Sequence, residues 1–444
     1  MMVILTIINI LLLYAGIYWL LKKIAADDSR AILLLTSTIV LFIAISILYY
    51  LMLVLDQSFI GLQLFLLIIN LGHIYFTGKA LAKVFKRRTA EQVNLDSFWV
   101  LGAVFFFTIY FVLYESKYGG WDAWAIWNLH ARILAHPEFW HNLFSGNIVY
   151  SHRDYPLMLP ATIAFVWKGI GIMSPFVPVL VAYGCLLIIP LLLYFSLRNE
   201  GDKFCAGAAL VIFVIDNNYK SIALSQCADT LLSLLVLLTF IQYQKIKAPS
   251  ANRIYILGFI CASCTWVKNE GIAFFVLFTI GFLLMHFKNR QTLKKYFIGM
   301  LIPVLVIGSF KVFFAPANDL ISGQNKQLFS LSAALSDSGR YVMILKFALN
   351  TLISNYAPAL LMIFVLFVVN HKTFLSLPFL IISALLGVYF VTYLITPYDL
   401  NWHLSTSLDR LFQQVYPALV YLLLRSLASV KWPPGSSKPL ENTG

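Results

Sequence analysis

The stretch AILLLTSTIVLFIAISILYYLMLVL, residues 31–55, decides the fold. It carries no charged residue, and about 20 mainly apolar residues suffice to cross the hydrocarbon core of a bilayer. No water is available there, so a crossing backbone must satisfy its own hydrogen bonds, which a helix does. Similar runs recur at 2–21, 58–77, 98–114, 176–197, 204–221, 229–244, 254–267, 271–287, 297–315, 346–369, 374–396 and 411–430. The expected fold class is therefore all-α, a polytopic membrane protein of about 13 transmembrane helices. A further apolar run, 156–173, contains Lys168 and several small residues and is expected to lie at the interface or re-enter the membrane. Of the 444 residues, 60% are hydrophobic and 11% charged, whereas a soluble domain carries about 25% charged residues.

The basic residues fix an orientation. One side collects Lys22, Lys23 and Arg30, then Lys79, Lys83, Lys86, Arg87 and Arg88. It also collects Arg198, Lys203, Lys245, Lys247, Arg253, Lys288, Arg290, Lys294, Lys295, Lys372, Arg425, Lys431 and Lys438. That side is read as cytoplasmic, with the N-terminus outside and the C-terminus inside. The net charge of +13 is then a topology signal, and no nucleic-acid partner is expected. The first segment has no preceding basic residue and no cleavage signature, so it is read as a retained helix. All five cysteines sit in apolar runs, the Cys261/Cys264 pair included, and are expected to be buried thiols.

Polar residues gather on the other side. The loop 115–175 holds Trp121, Asp122, Trp124, Trp127 and four histidines, and ends in His152-Arg153-Asp154-Tyr155-Pro156 at the entry to an apolar helix. An interfacial aromatic belt accounts for the tryptophans. It does not account for Asp122, an isolated acid that needs a cation, water or a hydroxyl. Pro156 suits the first turn of a helix, and Asp154 and Asp229 read as helix-start acids or as site residues. Lys268-Asn269-Glu270-Gly271 interrupts an apolar run as a tight outer turn. The loop 316–345 holds Asn318, Asp319, Lys326, Asp337 and Arg340. In 397–410, His403, Asp409 and Arg410 precede a helix containing Gln413 and Gln414. The planar donor fork of Arg410 suits phosphate; the ordinary alternative is a snorkelling arginine.

The order GGWDAW, HRDYPLMLP, QCADTLL, WVKNEG and WHLSTSLDRLFQQVYP, across about 98–430, resembles the GT-C membrane glycosyltransferases. The protein O-mannosyltransferases and lipid A aminoarabinose transferases are relatives in style. The second acid's segment departs from the family pattern at Gln226 and Cys227. The resemblance implies a GT-C-like domain at 97–430 with periplasmic juxtamembrane helices in the first large outer loop. It leaves membrane helices at 1–96 as an addition and 431–444 as a disordered cytoplasmic tail. It implies inverting transfer of a sugar from a polyprenyl-phosphate donor to a hydroxyl of an outer-face lipid, glycan or protein. The setting implied is a bacterial inner membrane with the site on the periplasmic face. By position Asp122 would be the general base and Asp229 the second catalytic acid. Lys268, Arg410, His152 and Arg153 would offset charge on the phosphate; Asp154, Tyr155, Glu270, His403, Trp121 and Trp124 would contact substrate.

No cofactor is required, because arginine and lysine can hold a phosphate. Asp122, Asp154 and Glu270 are hard oxygen donors suited to a divalent cation, and that alternative stays open. So do two other functions: a transporter or flippase of a lipid-linked or anionic solute, which would place polar groups on broken helices, and an oligosaccharide polymerase or ligase.

Overall fold

The computed structural model describes residues 1–86, 95–145, 148, 151–248, 251–318 and 331–430. The expected disordered tail, Arg87, Arg88, Asp319 and Lys326 lie outside the described residues. Among those described every regular element is helical: α1 (Met2–Ile24), α2 (Arg30–Val54), α3 (Phe59–Lys86), α4 (Leu95–Tyr114), α5 (Asn128–Leu134), α6 (Met158–Ile170), α7 (Phe176–Asn199), α8 (Lys203–Ile215) and α9 (Asn217–Leu224). After these come α10 (Ala228–Gln244), α11 (Arg253–Ser263), α12 (Asn269–His286), α13 (Arg290–Phe313), α14 (Leu331–Ser336), α15 (Ser338–Asn355), α16 (Ala357–Asn370), α17 (Leu377–Leu394) and α18 (Leu400–Ala428).

This is a multi-pass helical membrane protein. Among the described residues seven helices are long and apolar enough to cross a bilayer, or eight if the bent pair α9–α10 is one span. Their outer faces are apolar and exposed, as at Leu180, Leu284, Val312, Phe364 and Phe367, which is stable only against lipid. Five further apolar helices are shorter, among them Met158–Ile170. At 13 residues α6 is only about 20 Å long. It packs against α1, α2 and α5, buried on nearly every side.

Three expected elements are divided differently. The run 204–221 breaks at Asp216, whose carboxylate caps α9 by accepting from the Tyr219 amide at 2.8 Å. The run 346–369 breaks at Tyr356, because Pro358 in the first turn of α16 has no N–H for the carbonyl four residues back and its ring would clash with that carbonyl in a continuous helix. In the segment 397–410, expected as an outer connection, residues 400–410 are the first third of α18, capped by Asp399 at the Trp402 amide, 2.7 Å away. A hydrophobicity scan starts that helix too late because its first turns are polar.

The core is built on α10, which packs against α7, α11 and α18, and on α11, which crosses α13. The α11–α13 crossing is close because it uses glycine. A Cβ on Gly258 would lie 2.3 Å from the Tyr296 carbonyl oxygen, and one on Gly299 would lie 2.2 Å from that of Tyr255. At one end of α10 and α11 a buried ion network ties in the α1–α2 connection. Lys245 lies 2.8 Å and Arg253 2.9 Å from Asp28. Arg253 also donates to Gln242 at 2.7 Å and pairs with Asp27. The α1–α2 and α10–α11 connections, placed on one side by their basic residues, do meet there.

Candidate functional site

The opposite end of α10 gathers the polar residues of the other expected face. The loop leading to Asp122 is stitched to the α9–α10 bend. Gly120 N–H donates to the Ser225 carbonyl at 2.9 Å, Gln226 donates to the Ser116 carbonyl at 2.5 Å, and Asn128 donates to Gln226 at 3.0 Å. Gly119 has φ +69, and a Cβ there would sit 2.6 Å from the Ser225 oxygen, so only glycine fits. Gln226 takes φ +60, an uncommon conformation for a non-glycine residue. Asp122 directly precedes a single π-helical turn, Ala123–Trp127, a local geometry common at functional sites.

This stitching brings two sequence motifs into one ion cluster. Arg410 on α18 pairs with Asp122 and lies 3.8 Å from Asp229. Lys268 lies 2.8 Å from Asp229 and 3.0 Å from Glu270. Gln414 donates to Asp229 at 2.7 Å and accepts from Tyr389 at 2.8 Å. Asp229 is wholly buried, so as the acid of the first turn of α10 it also anchors both cations. Three carboxylates face two cations. Asp229 Oδ2, Glu270 Oε2 and Arg410 Nε are buried without a hydrogen-bond partner. Buried polar atoms are nearly always satisfied, and leaving one open costs about 1–3 kcal/mol, so the cluster has hydrogen-bonding capacity that the protein's own side chains do not use.

The remaining expected residues divide. Tyr155 stacks between Trp127 and His152, with centroids 5.5 and 5.0 Å away, and its ring lies 5.8 Å from the Lys268 ammonium. His403 bonds Thr396 at 2.9 Å and feels the charges of Arg410 and Glu270. Trp121 and Trp124 are exposed and edge-to-face at 5.7 Å. Asp154 is 2% exposed and accepts from Asn269 and Asn318, each at 2.7 Å. Lys311 closes this group, at 2.6 Å from the Asp154 carbonyl and 2.8 Å from Asn269. Asp154 is therefore a strut beneath the Lys268–Glu270 turn. Nor is it a helix-start acid: it lies in a turn closed by Tyr155 N–H and the His152 carbonyl, and Pro156 precedes the Leu157 cap of α6. The Arg153 guanidinium is engaged by the carbonyls of Phe144 and Ser145, away from the cluster.

Asp122, Asp154 and Glu270 do not come together as a group of three ligands among the described residues. Asp122 and Glu270 each hold a cationic side chain, and Asp154 holds two amides. Gln414, Tyr389, Asn269 and Lys311 were missed as site residues. Gln414 was findable: it stands four residues after Arg410, hence on the same helical face, in an otherwise apolar stretch. Asp409, adjacent to Arg410, faces elsewhere. It accepts from Asn218, Asn355 and Tyr356 at 3.1, 3.2 and 3.0 Å, tying both helix breaks to α18. No family model matches the chain, and neither the curated proteins nor the solved structures contain a match to it.

Proposed function

We propose that the protein is an inverting glycosyltransferase of the GT-C kind, moving a sugar from a polyprenyl-phosphate donor to a hydroxyl at the outer face of a bacterial inner membrane. One observation carries this reading: Asp122, Asp229, Lys268, Glu270 and Arg410, drawn from four separate parts of the chain, share one cluster with polar atoms left open. Such a cluster combines a base with cations. Asp122 takes the proton of the acceptor O–H as its oxygen bonds the anomeric carbon. The bond from that carbon to the phosphate oxygen breaks, and its electron pair goes to the phosphate. Lys268 and Arg410 stabilise the charge that develops there, which favours the transition state over the ground state. Asp229, buried between both cations, sets their positions. Trp121 and Trp124 offer faces for sugar C–H groups, and membrane lipid receives the donor's tail.

In the full proposal about thirteen helices cross the membrane. The N-terminal helices at 1–96 are an addition to a catalytic domain at 97–430, and the tail 431–444 is cytoplasmic. The test is incubation of the purified protein with polyprenyl-phosphate hexose and outer-leaflet lipid extract. Release of polyprenyl phosphate with a new glycosidic product supports transfer. Undiminished turnover by Asp122→Asn removes the base.

The breaks at Asp216 and Tyr356 and the 115° bend between α9 and α10 favour a second reading, a transporter of a lipid-linked or anionic solute. Movement of solute across sealed vesicles with no covalent product would select it.

A further inference from the structure

We propose that Asp122 and the phosphate of the donor are alternative partners of Arg410, so that the donor's phosphate diester must displace Asp122 before the acceptor can react. This rests on reading the site as a phosphate-sugar transferase, and it adds an order to the reaction. The two cations of the cluster are held differently. Lys268 has 6% of its side chain exposed and is bound on both sides, at 2.8 and 3.0 Å. Arg410 and Asp122 are each 24% exposed, so an anion arriving from outside reaches their contact first. Arg410 Nε has no hydrogen-bond partner, and Asp229 at 3.8 Å keeps the guanidinium oriented when it turns.

The two partners also differ in freedom. Asp122 sits on a backbone fixed by the Gly120–Ser225 bond and by the tight fit of Gly119. Arg410 is a long side chain that can re-aim. An incoming phosphate therefore moves the arginine, while Asp122 stays in place.

Charge gives the exchange its consequence. With three carboxylates around two cations, an added anion must take a cation from one of them. Asp122 is the one whose partner is accessible. Without it the Asp122 carboxylate is free to accept the acceptor's O–H. Donor then binds before acceptor.

Binding to the detergent-purified full chain tests this without turnover, read by the fluorescence of Trp121 and Trp124 beside Asp122. The probes are polyprenyl phosphate, inorganic phosphate and neutral polyprenol. Removing a competitor raises apparent affinity by the fraction it occupied, so Asp122→Asn should bind polyprenyl phosphate about 10-fold tighter. Arg410→Gln should bind it at least about 10-fold more weakly, and the double variant should match Arg410→Gln. Inorganic phosphate tightening in parallel places the competition at the phosphate. Tightening confined to the lipid forms, polyprenol included, would overturn the proposal, as would unchanged or weaker binding by Asp122→Asn. Asp122→Ser, which also removes the charge, repeats the comparison should the Asn variant not elute as a folded species. Tighter binding without any sugar transfer keeps the shared arginine and discards the transferase; transfer without tightening does the reverse.

Discussion

The two ends of the α10–α11 pair each bury an ion network, and they are built to different rules. At one end Asp27 and Asp28 meet Lys245 and Arg253, and no charged atom of these four residues is left buried without a partner. At the other end Asp122, Asp229 and Glu270 meet Lys268 and Arg410, and one atom on each of Asp229, Glu270 and Arg410 is left open. The first network joins three chain segments, and beside its paired charges only the neutral Gln242 Nε2 lacks a hydrogen-bond partner among the residues named in it. The second tolerates unmatched charge, which a protein retains only where something else supplies the missing partner. Counting charges separates the two, two acids to two cations against three to two, and so does counting open atoms on the charged groups.

The largest effect expected is at the open end. Asp122→Asn should lower kcat by about 10²–10⁴-fold, the usual contribution of a general base, with thermal stability little changed because the group is partly exposed. A loss of folding in place of a loss of turnover would make the open network a structural one and break the comparison. At the closed end Arg253→Met leaves Asp28 with Lys245 alone, Asp27 with the exposed Lys247 alone and Gln242 without its donor, and losing one partner of a buried pair costs about 3–5 kcal/mol. Thermal unfolding of the variant measures this, while turnover per folded molecule should stay at the wild-type level.

Acid should also act on the two ends in turn. His130, buried on α5 near the open end, has its pKa pushed down to about 3 by burial. Its unfolded value is about 6.5, so below that pH the unfolded chain takes up a proton the folded protein refuses. Stability is complete above the unfolded value and falls as pH drops, by at most about 1.4 kcal/mol per unit. At the closed end burial is the largest single influence on Asp27 and raises its pKa, but the Arg253 charge and hydrogen bond, a backbone hydrogen bond and Lys247 together hold the carboxyl below its usual value. Its contribution is present above the unfolded value and lost only as pH falls through the lower folded one. Hydrogen exchange across pH 7 to 5 should therefore open α5 before the α1–α2 connection, and His130→Gln should flatten that dependence. The smallest effect belongs to Glu200→Gln. It removes a half-exposed pair with Arg425 at 2.7 Å, and denaturant unfolding should register less than about 1 kcal/mol.

Much of the fold was legible because lipid imposes a simple rule of length and apolarity. α1, α2, α7, α12, α13 and α17 follow it closely. The breaks were not legible. Asp216 acts as a helix cap within an apolar run, and the polar first turns of α18 look like a loop until their neighbours are known. The candidate site was legible in residue type: Asp122, Asp229, Lys268, Glu270 and Arg410 stood out as charges at the edges of apolar runs. Their grouping was not, and Asp154 and Arg153 stood out equally while proving to be supports.

The sequence alone determined that this chain is helical and enters a membrane, because the cost of exposed backbone groups in hydrocarbon is local and can be read residue by residue. Which charges share a cluster, which atoms remain open, and which acid is a strut were decided only by tertiary packing. An ion pair depends on a distance of a few ångströms between residues as far apart as Asp122 and Arg410, and no local pattern records that distance.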